Sequence, residues 1–243
     1  MKNSAYIVLI LLVVLLVSCN RRSGRLHSNS MAKVERRCVD LETSTRTVEN
    51  SLREMSGSQI FQKYSDAVFM VYTSDGYNAF QGSGFFISSS GIAVSNYHVF
   101  RNTSIGLETI KLSSGEKLNV DKVIVKSEEN DFIIFKVRAK RNQHFKYIPI
   151  STRTLSIGEK VYALGSPRGL ENTLSSGEIS QKRANNIIQI SAPIDHGSSG
   201  GALINVYGEA IGITSGGMDD SGANLNFAID IRIVWEALES IEH

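Results

Sequence analysis

The sequence predicts an all-β fold of the barrel or sandwich kind from Ser58 onward. Short apolar, β-branched runs recur along this stretch, and clusters of Gly, Ser and Asn separate them. Many short strands with frequent turns bury their apolar faces by closing into a barrel or packing as two sheets. Hydrophobic residues make up 42% of the 243 positions, enough for an ordinary core. In order, strands are predicted at Ala67 to Thr73, Gly84 to Ser88, Ile92 to Ser95, Lys117 to Lys126 and Phe132 to Val137. They continue at Lys160 to Gly165, Ile187 to Ser191, Ala210 to Thr214 and Leu225 to Ile229. A short helix is predicted over Ser58 to Ser65, with Ser58 as its cap. A second helix is predicted over Ile231 to Ser240.

The stretch Asp195-His196-Gly197-Ser198-Ser199-Gly200-Gly201-Ala202-Leu203 carries the chemistry. Glycines around a serine let consecutive N–H groups turn toward one point beside a hydroxyl. That pairing of nucleophile and oxyanion pocket is what acyl transfer requires. Ser199 is the candidate nucleophile because the glycine pair follows it directly; Ser198 is its rival. The base candidate is His98, at the exit of the apolar run Ile92-Ala93-Val94. The acid candidate is Asp131, at the mouth of the run Phe132-Ile133-Ile134-Phe135; Asp121 is a rival in a more polar context. In this reading Ser199 attacks a carbonyl, His98 relays the proton, and Asp131 fixes the imidazole tautomer.

Each residue also has a plainer reading. His98 alone suits a structural role, and Asp131 alone suits a turn cap or a partner of Lys136. Of the other histidines, His27 lies in a polar tail, His144 in a basic loop, His196 in the serine loop, and His243 is last. The motif Gly197-Ser198-Ser199-Gly200-Gly201 also fits the elbow of α/β-hydrolases. Those enzymes need the acid and then the histidine after the serine, whereas the order here is His98, Asp131, Ser199.

The chain resembles trypsin-like serine proteases of the HtrA (Deg) family. The blocks are Gln81 to Ile87, Val94 to Val99, Asp131 to Val137, Ala163 to Leu170 and Ser176 to Ser180, then Gly197 to Asn205, Gly208 to Thr214 and Asn226 to Ile229. The resemblance covers Ser58 to His243. It implies two six-stranded antiparallel β-barrels, chymotrypsin-like, with His98 and Asp131 from the first and Ser199 from the second. It implies an oxyanion hole of main-chain N–H groups within Gly197, Ser198 and Ser199. It also implies a homotrimer. Family members carry Asn or Asp where this chain has Ser198, which argues against activation by a freshly cut N-terminal ammonium. They also append a peptide-binding PDZ domain, for which the residues after Ile229 are too few; a domain needs ~50 residues or more.

By the same correspondence the specificity pocket involves Pro193, Ile194 and the strand around Leu225-Asn226. Pro193 stands near where trypsin-type enzymes place an aspartate, so a small or medium apolar residue is expected before the scissile bond. The strand edge Ile213-Thr214-Ser215 is expected to bind polypeptide substrates in extended form through main-chain pairing. The loop Gly216 to Gly222 is expected to switch the site on or off.

The N-terminus suggests an address. Ala5 to Val17 is an unbroken apolar run after Lys2, shorter than the ~20 residues of a spanning helix, so it reads as a signal sequence. Leu16-Val17-Ser18-Cys19 resembles a bacterial lipobox, which implies removal of residues 1–18 and membrane attachment through acylated Cys19. An uncleaved anchor is the alternative. Either reading puts the protein in the cell envelope, and Asn20 hints at the outer membrane. Residues 19–57 then form a tether and stalk, followed by the protease domain at 58–243. Val34, Cys38, Leu41, Thr45, Val48, Leu52 and Met55 follow a heptad spacing, as a short coiled coil or a stalk laid on the protease.

A net charge of +2 is too small to suggest nucleic acid. No metal-ligand spacing and no phosphate-binding loop after a strand is present, so neither metal nor cofactor is expected. The two functional classes that remain are a serine endopeptidase and a surface lipoprotein using the same barrels for binding.

Overall fold

The computed structural model describes residues 53–101, 103, 106–166, 172–218 and 225–242. The signal sequence, Cys19, the arginine tether, Cys38 and the heptad positions up to Leu52 lie outside the described residues. Residues from Glu54 onward form one compact unit.

Packing begins at Met55, whose N–H donates to the Val206 carbonyl at 2.6 Å. The first helix, α1, spans Gly57–Tyr64, and its cap is Ser56, not Ser58. The sequence at the helix start explains the shift. Ser56 is followed three residues later by Gln59, so serine and glutamine exchange hydrogen bonds with each other's backbone. Ser58 has Phe61 at that offset and has no such partner.

The first half contains β1 (Val68–Ser74), β2 (Ala79–Phe86), β3 (Ile92–Ser95), the single-turn helix α2 (Tyr97–Phe100), β4 (Thr109–Lys111), β5 (Lys117–Leu118), β6 (Val120–Ser127) and β7 (Phe132–Val137). They make one seven-stranded antiparallel sheet, in the order β5-β4-β1-β2-β3-β7-β6. This half is a half-barrel, within the all-β, chymotrypsin-like class that the resemblance implied. The strand expected over Lys117 to Lys126 breaks at Asn119, whose carbonyl accepts the Arg138 N–H at 2.9 Å. The two pieces, β5 and β6, end up at opposite edges of the sheet.

The second half contains β8 (Lys160–Gly165), β9 (Thr173–Arg183), β10 (Ile187–Ile190), β11 (Ala202–Asn205), β12 (Ala210–Met218) and β13 (Leu225–Asp230). These close into the expected six-stranded barrel, in the order β10-β13-β12-β11-β8-β9. The helix α3 (Arg232–Glu242) follows. The loop expected over Gly216 to Gly222 is in part strand, since β12 runs through Met218; residues 219–224 lie outside the described residues.

The continuous apolar runs are explained by two-sided burial. Successive strand residues face opposite ways. In β7, Ile133, Phe135 and Val137 fill the interior of the half-barrel, beside Phe69, Phe86 and Phe145. Phe132 and Ile134 face the other way, into a core shared with Leu164, Ala202 and Ile213 of the barrel. The barrel strands divide likewise, Ala163, Leu203 and Ile211 lying in its own interior. Each Val, Leu, Ile or Phe among them contributes about 1.5–3 kcal/mol when fully buried. The shared core presses the two halves together along the line where the candidate site lies.

Candidate active site

Buried polar residues are informative because burial removes their water. In this chain Ser83, Ser95, Asn96, Ser166, Ser198 and Thr214 are all buried, and all lie along the seam between the halves. Their hydrogen bonds assemble the site.

His98 sits on the single turn α2, just past the end of β3. Asp131 immediately precedes β7, the strand hydrogen-bonded to β3. The His98 ring nitrogen Nδ1 and Asp131 Oδ2 are 2.8 Å apart. Asp131 Oδ1 accepts the His98 main-chain N–H, also at 2.8 Å. The carboxylate therefore holds both the ring and the backbone of the histidine. Their side chains keep 39% and 28% of their exposure, so geometry rather than burial defines the pair.

Asp131 has a φ of 50°, the left-handed region that Asp and Asn enter more readily than other non-glycine residues. Its carbonyl accepts from the Tyr97 N–H at 3.2 Å and from Asn96 Nδ2 at 3.0 Å. The backbone of the acid is thus tied to the turn that carries the histidine.

Ser199 arrives from the second half. Its hydroxyl donates to the Ser215 carbonyl at 3.4 Å, and the Ser215 hydroxyl donates to Asp131 Oδ2 at 3.2 Å. Ser215 thereby joins the serine to the acid. The three residues selected from sequence meet in one place, with Ser215 between two of them.

The turn before Ser199 is closed by the Ser198 N–H donating to the Asp195 carbonyl at 3.0 Å, with Gly197 at a φ of 91°. That positive φ suits glycine. The Ser198 carbonyl accepts from the Gly201 N–H at 2.9 Å and from Thr214 Oγ1 at 2.7 Å. These bonds use the N–H of Ser198, which removes it as an oxyanion donor. Among the described residues, the N–H groups of Gly197 and Ser199 have no protein acceptor.

The substrate-binding expectations need one correction. Ile213 is fully buried in the shared core and pairs with Ala202 and Ile229, while the Thr214 main chain bonds to Gly200 and Gly201. Neither offers a free edge, because β11 and the nucleophile turn cover β12 that far. From Gly216 to Met218, β12 pairs with β13 alone among the described residues. The open edge is therefore Ser215-Gly216-Gly217. Leu225 and Asn226 open β13, opposite Met218 and Gly217, and Asn226 is buried. Pro193 is exposed, its carbonyl accepting from Ser175 Oγ at 2.7 Å, and Ile194 packs against the barrel core. Asp195 and His196 lie exposed on the turn itself. Among the described residues, no three His, Cys, Asp or Glu side chains gather as a metal site.

Sequence reasoning placed Ser215 on the substrate edge but missed its bridging hydroxyl, and it missed the anchoring amide of Asn96 and the buried Ser83. The signal for Ser83 was its place inside Gln81-Gly82-Ser83-Gly84; Asn96 carries none beyond its nearness to His98.

Comparison with known proteins points to one family. The family model for the trypsin-like peptidase domain matches residues 82–213. A probable periplasmic serine endoprotease, DegP-like, of Rhizobium meliloti is 32% identical over 171 residues, which is 66% of this chain and 33% of that protein. The periplasmic serine endoprotease DegP of Salmonella typhimurium is 34% identical over 164 residues, 63% of this chain and 34% of that protein. The crystal structure of the serine endoprotease from Yersinia pestis superposes with a TM-score of 0.68 at 28% identity, covering 77% of this chain and 67% of that one. The chain spans about a third of the length of these curated relatives.

Gly200 tests how tightly the seam is built. It has a φ of 90°, and a Cβ there would overlap the Ser83 carbonyl oxygen and Ser95 Oγ. Gly200→Ala is expected to destabilise the protein by about 2–5 kcal/mol, from overpacking plus left-handed strain. The melting temperature should fall by roughly 4–20 °C. An unchanged melting temperature would mean that the halves are not in backbone contact here.

Proposed function

The chain belongs to the trypsin-like peptidase family, and from that premise we propose that it is a serine endopeptidase of the HtrA type. It cleaves extended polypeptides through an acyl-enzyme on Ser199. The observation that carries this reading is the chain of bonds from His98 through Asp131 and Ser215 to Ser199.

The chemistry follows from that chain. Asp131 accepts the Nδ1 proton of His98, which leaves Nε2 as the acceptor of a neutral imidazole. In the substrate-free protein the Ser199 hydroxyl leans on the Ser215 carbonyl, and catalytic hydrogen bonds commonly tighten only with substrate. Rotation of the hydroxyl toward Nε2 lets His98 take its proton as the oxygen attacks the carbonyl carbon. The oxyanion takes up the N–H groups of Gly197 and Ser199. His98 then returns its proton to the leaving amine, and water repeats the sequence on the ester. The substrate lies antiparallel along Ser215-Gly216-Gly217. Main-chain pairing of that kind accepts many sequences and demands an extended chain, which suits unfolded polypeptides.

The proposed location is the bacterial cell envelope, with attachment through acylated Cys19. The apolar run Ala5 to Val17 ahead of Leu16-Val17-Ser18-Cys19 supports it, as do the two relatives described as periplasmic.

Two measurements test the chemistry. A fluorophosphonate probe should label the wild-type protein and leave Ser199→Ala unlabelled. Absence of Ser199-dependent labelling, even with unfolded protein added, would favour a binding module instead. Asp131→Asn should keep the fold, since Asn also accepts a left-handed φ, yet lower kcat by ~10⁴ by favouring the wrong imidazole tautomer. A near-normal rate would show that another group serves as the acid. For the anchor, Cys19→Ser should abolish incorporation of labelled fatty acid and move the protein from membrane to soluble fractions. A variant still in the membrane fraction would point to the uncleaved apolar run instead.

A further inference from the structure

Asn96 stands between β3 and α2 and is fully buried. It is the N-cap of the turn that carries His98. An asparagine at this position ordinarily accepts the N–H of the second or third helical residue on its side-chain oxygen. Asn96 makes no such bond. The second helical residue is His98, and its N–H goes to Asp131 Oδ1 at 2.8 Å. The Asn96 carboxamide serves a different group: Nδ2 donates to the Asp131 carbonyl at 3.0 Å. Its Oδ1 is buried and has no hydrogen-bond partner among the described residues. The acid has taken over the capping of the turn, and the residue placed to cap it holds the acid instead.

This exchange has a cost and a geometric result. A buried amide oxygen without a partner loses its hydration with no bond in return. Turning that oxygen onto its own turn would swing Nδ2 off the Asp131 carbonyl. It would also set Oδ1 against Asp131 for the His98 N–H. What the amide holds is a strained residue, since Asp131 has a φ of 50°. Two donors on its carbonyl, the Tyr97 N–H at 3.2 Å and Asn96 Nδ2, fix the peptide plane that leads into β7. With its backbone held, Asp131 offers one carboxylate oxygen to the His98 N–H and the other to the ring.

We infer that Asn96 is a positioning residue for the catalytic acid: by holding the Asp131 carbonyl and not capping its own turn, it presents the Asp131 carboxylate to His98. The inference rests on the serine endopeptidase reading.

The test compares wild type, Asn96→Ala and Asn96→Ser, each checked for folding by thermal unfolding. Alanine removes the anchor. Serine removes it too, its hydroxyl falling one bond short of the amide, and it caps a helix better than alanine. Asn96→Ala should lower kcat by about 10–100-fold, with KM changed by less than about threefold. The loss is partial because the Tyr97 N–H still holds the carbonyl. Asn96→Ser should melt roughly 2–5 °C above Asn96→Ala and yet turn over no faster. The His98 Nδ1 proton, carried far downfield in NMR spectra by its bond to Asp131, should move upfield or be lost to exchange in both variants. In an Asp131→Asn background, Asn96→Ala should slow kcat by less than about threefold further, because effects passed through one group do not add.

A folded Asn96→Ala with wild-type kcat would overturn the inference and leave the protease reading standing. So would a lowered kcat beside an unmoved His98 proton, a serine variant whose activity recovers with its stability, or full additivity with Asp131→Asn. Failure of both variants to fold would make Asn96 a structural residue and overturn it as well. A wild-type protein that takes no fluorophosphonate on Ser199 would remove the protease reading and the catalytic role with it.

Discussion

The site depends on a backbone contact between two halves that are far apart in sequence. The main chain at Ser83 touches the main chain at Ser199 and Gly200, through one hydrogen bond of 2.7 Å and a space no side chain could enter. Such an approach needs glycine at Gly200, and it needs the halves held in fixed register. The shared core supplies that register. Phe85, Val94, Phe132 and Ile134 from the half-barrel pack with Leu164, Ala202 and Ile213 from the barrel, directly beneath the seam. Close-packed interiors transmit displacement instead of absorbing it. A small shift in that core would therefore reach the nucleophile turn.

The His98–Asp131 pair shows how backbone and side chain cooperate at a partly exposed site. Water screens an ion pair of this exposure, so attraction alone would not orient the ring. Orientation comes from redundancy. Asp131 binds the ring and the backbone of His98, while Asn96 and Tyr97 bind the backbone of Asp131. Ser215 adds a bond from the other half, so the acid senses whether the halves are in register. The left-handed φ of Asp131 is sustained because these contacts over-determine it.

The strand pattern was legible wherever burial is two-sided. Phe132 to Val137 and Lys160 to Gly165 match the observed strands because their apolar runs leave few alternatives. β9 was not predicted. Its residues Thr173 to Arg183 are mostly polar, only Ile179 is fully buried, and the strand exists because β8 and β10 supply pairing on both sides. β4 is too short to show a period. The helix α1 was legible, but its cap was not, because Ser56 and Ser58 look alike until the partner at Gln59 is considered.

The sequence by itself determined the chemical set: an imidazole, a carboxylate and an alcohol among glycines, in an order that suits one mechanistic family. Residue type and chain order carry that information without coordinates. The tertiary structure alone decided which groups remain available. Ile213 and Thr214 are consumed by pairing with β11 and the nucleophile turn, the Ser198 N–H closes a turn, and Gly216 and Gly217 are left with an open edge. It also decided that Ser83 faces Gly197 across 114 residues of chain. The physical reason is that a hydrogen-bonding group serves only where its partners are not already taken, and packing between distant segments settles that.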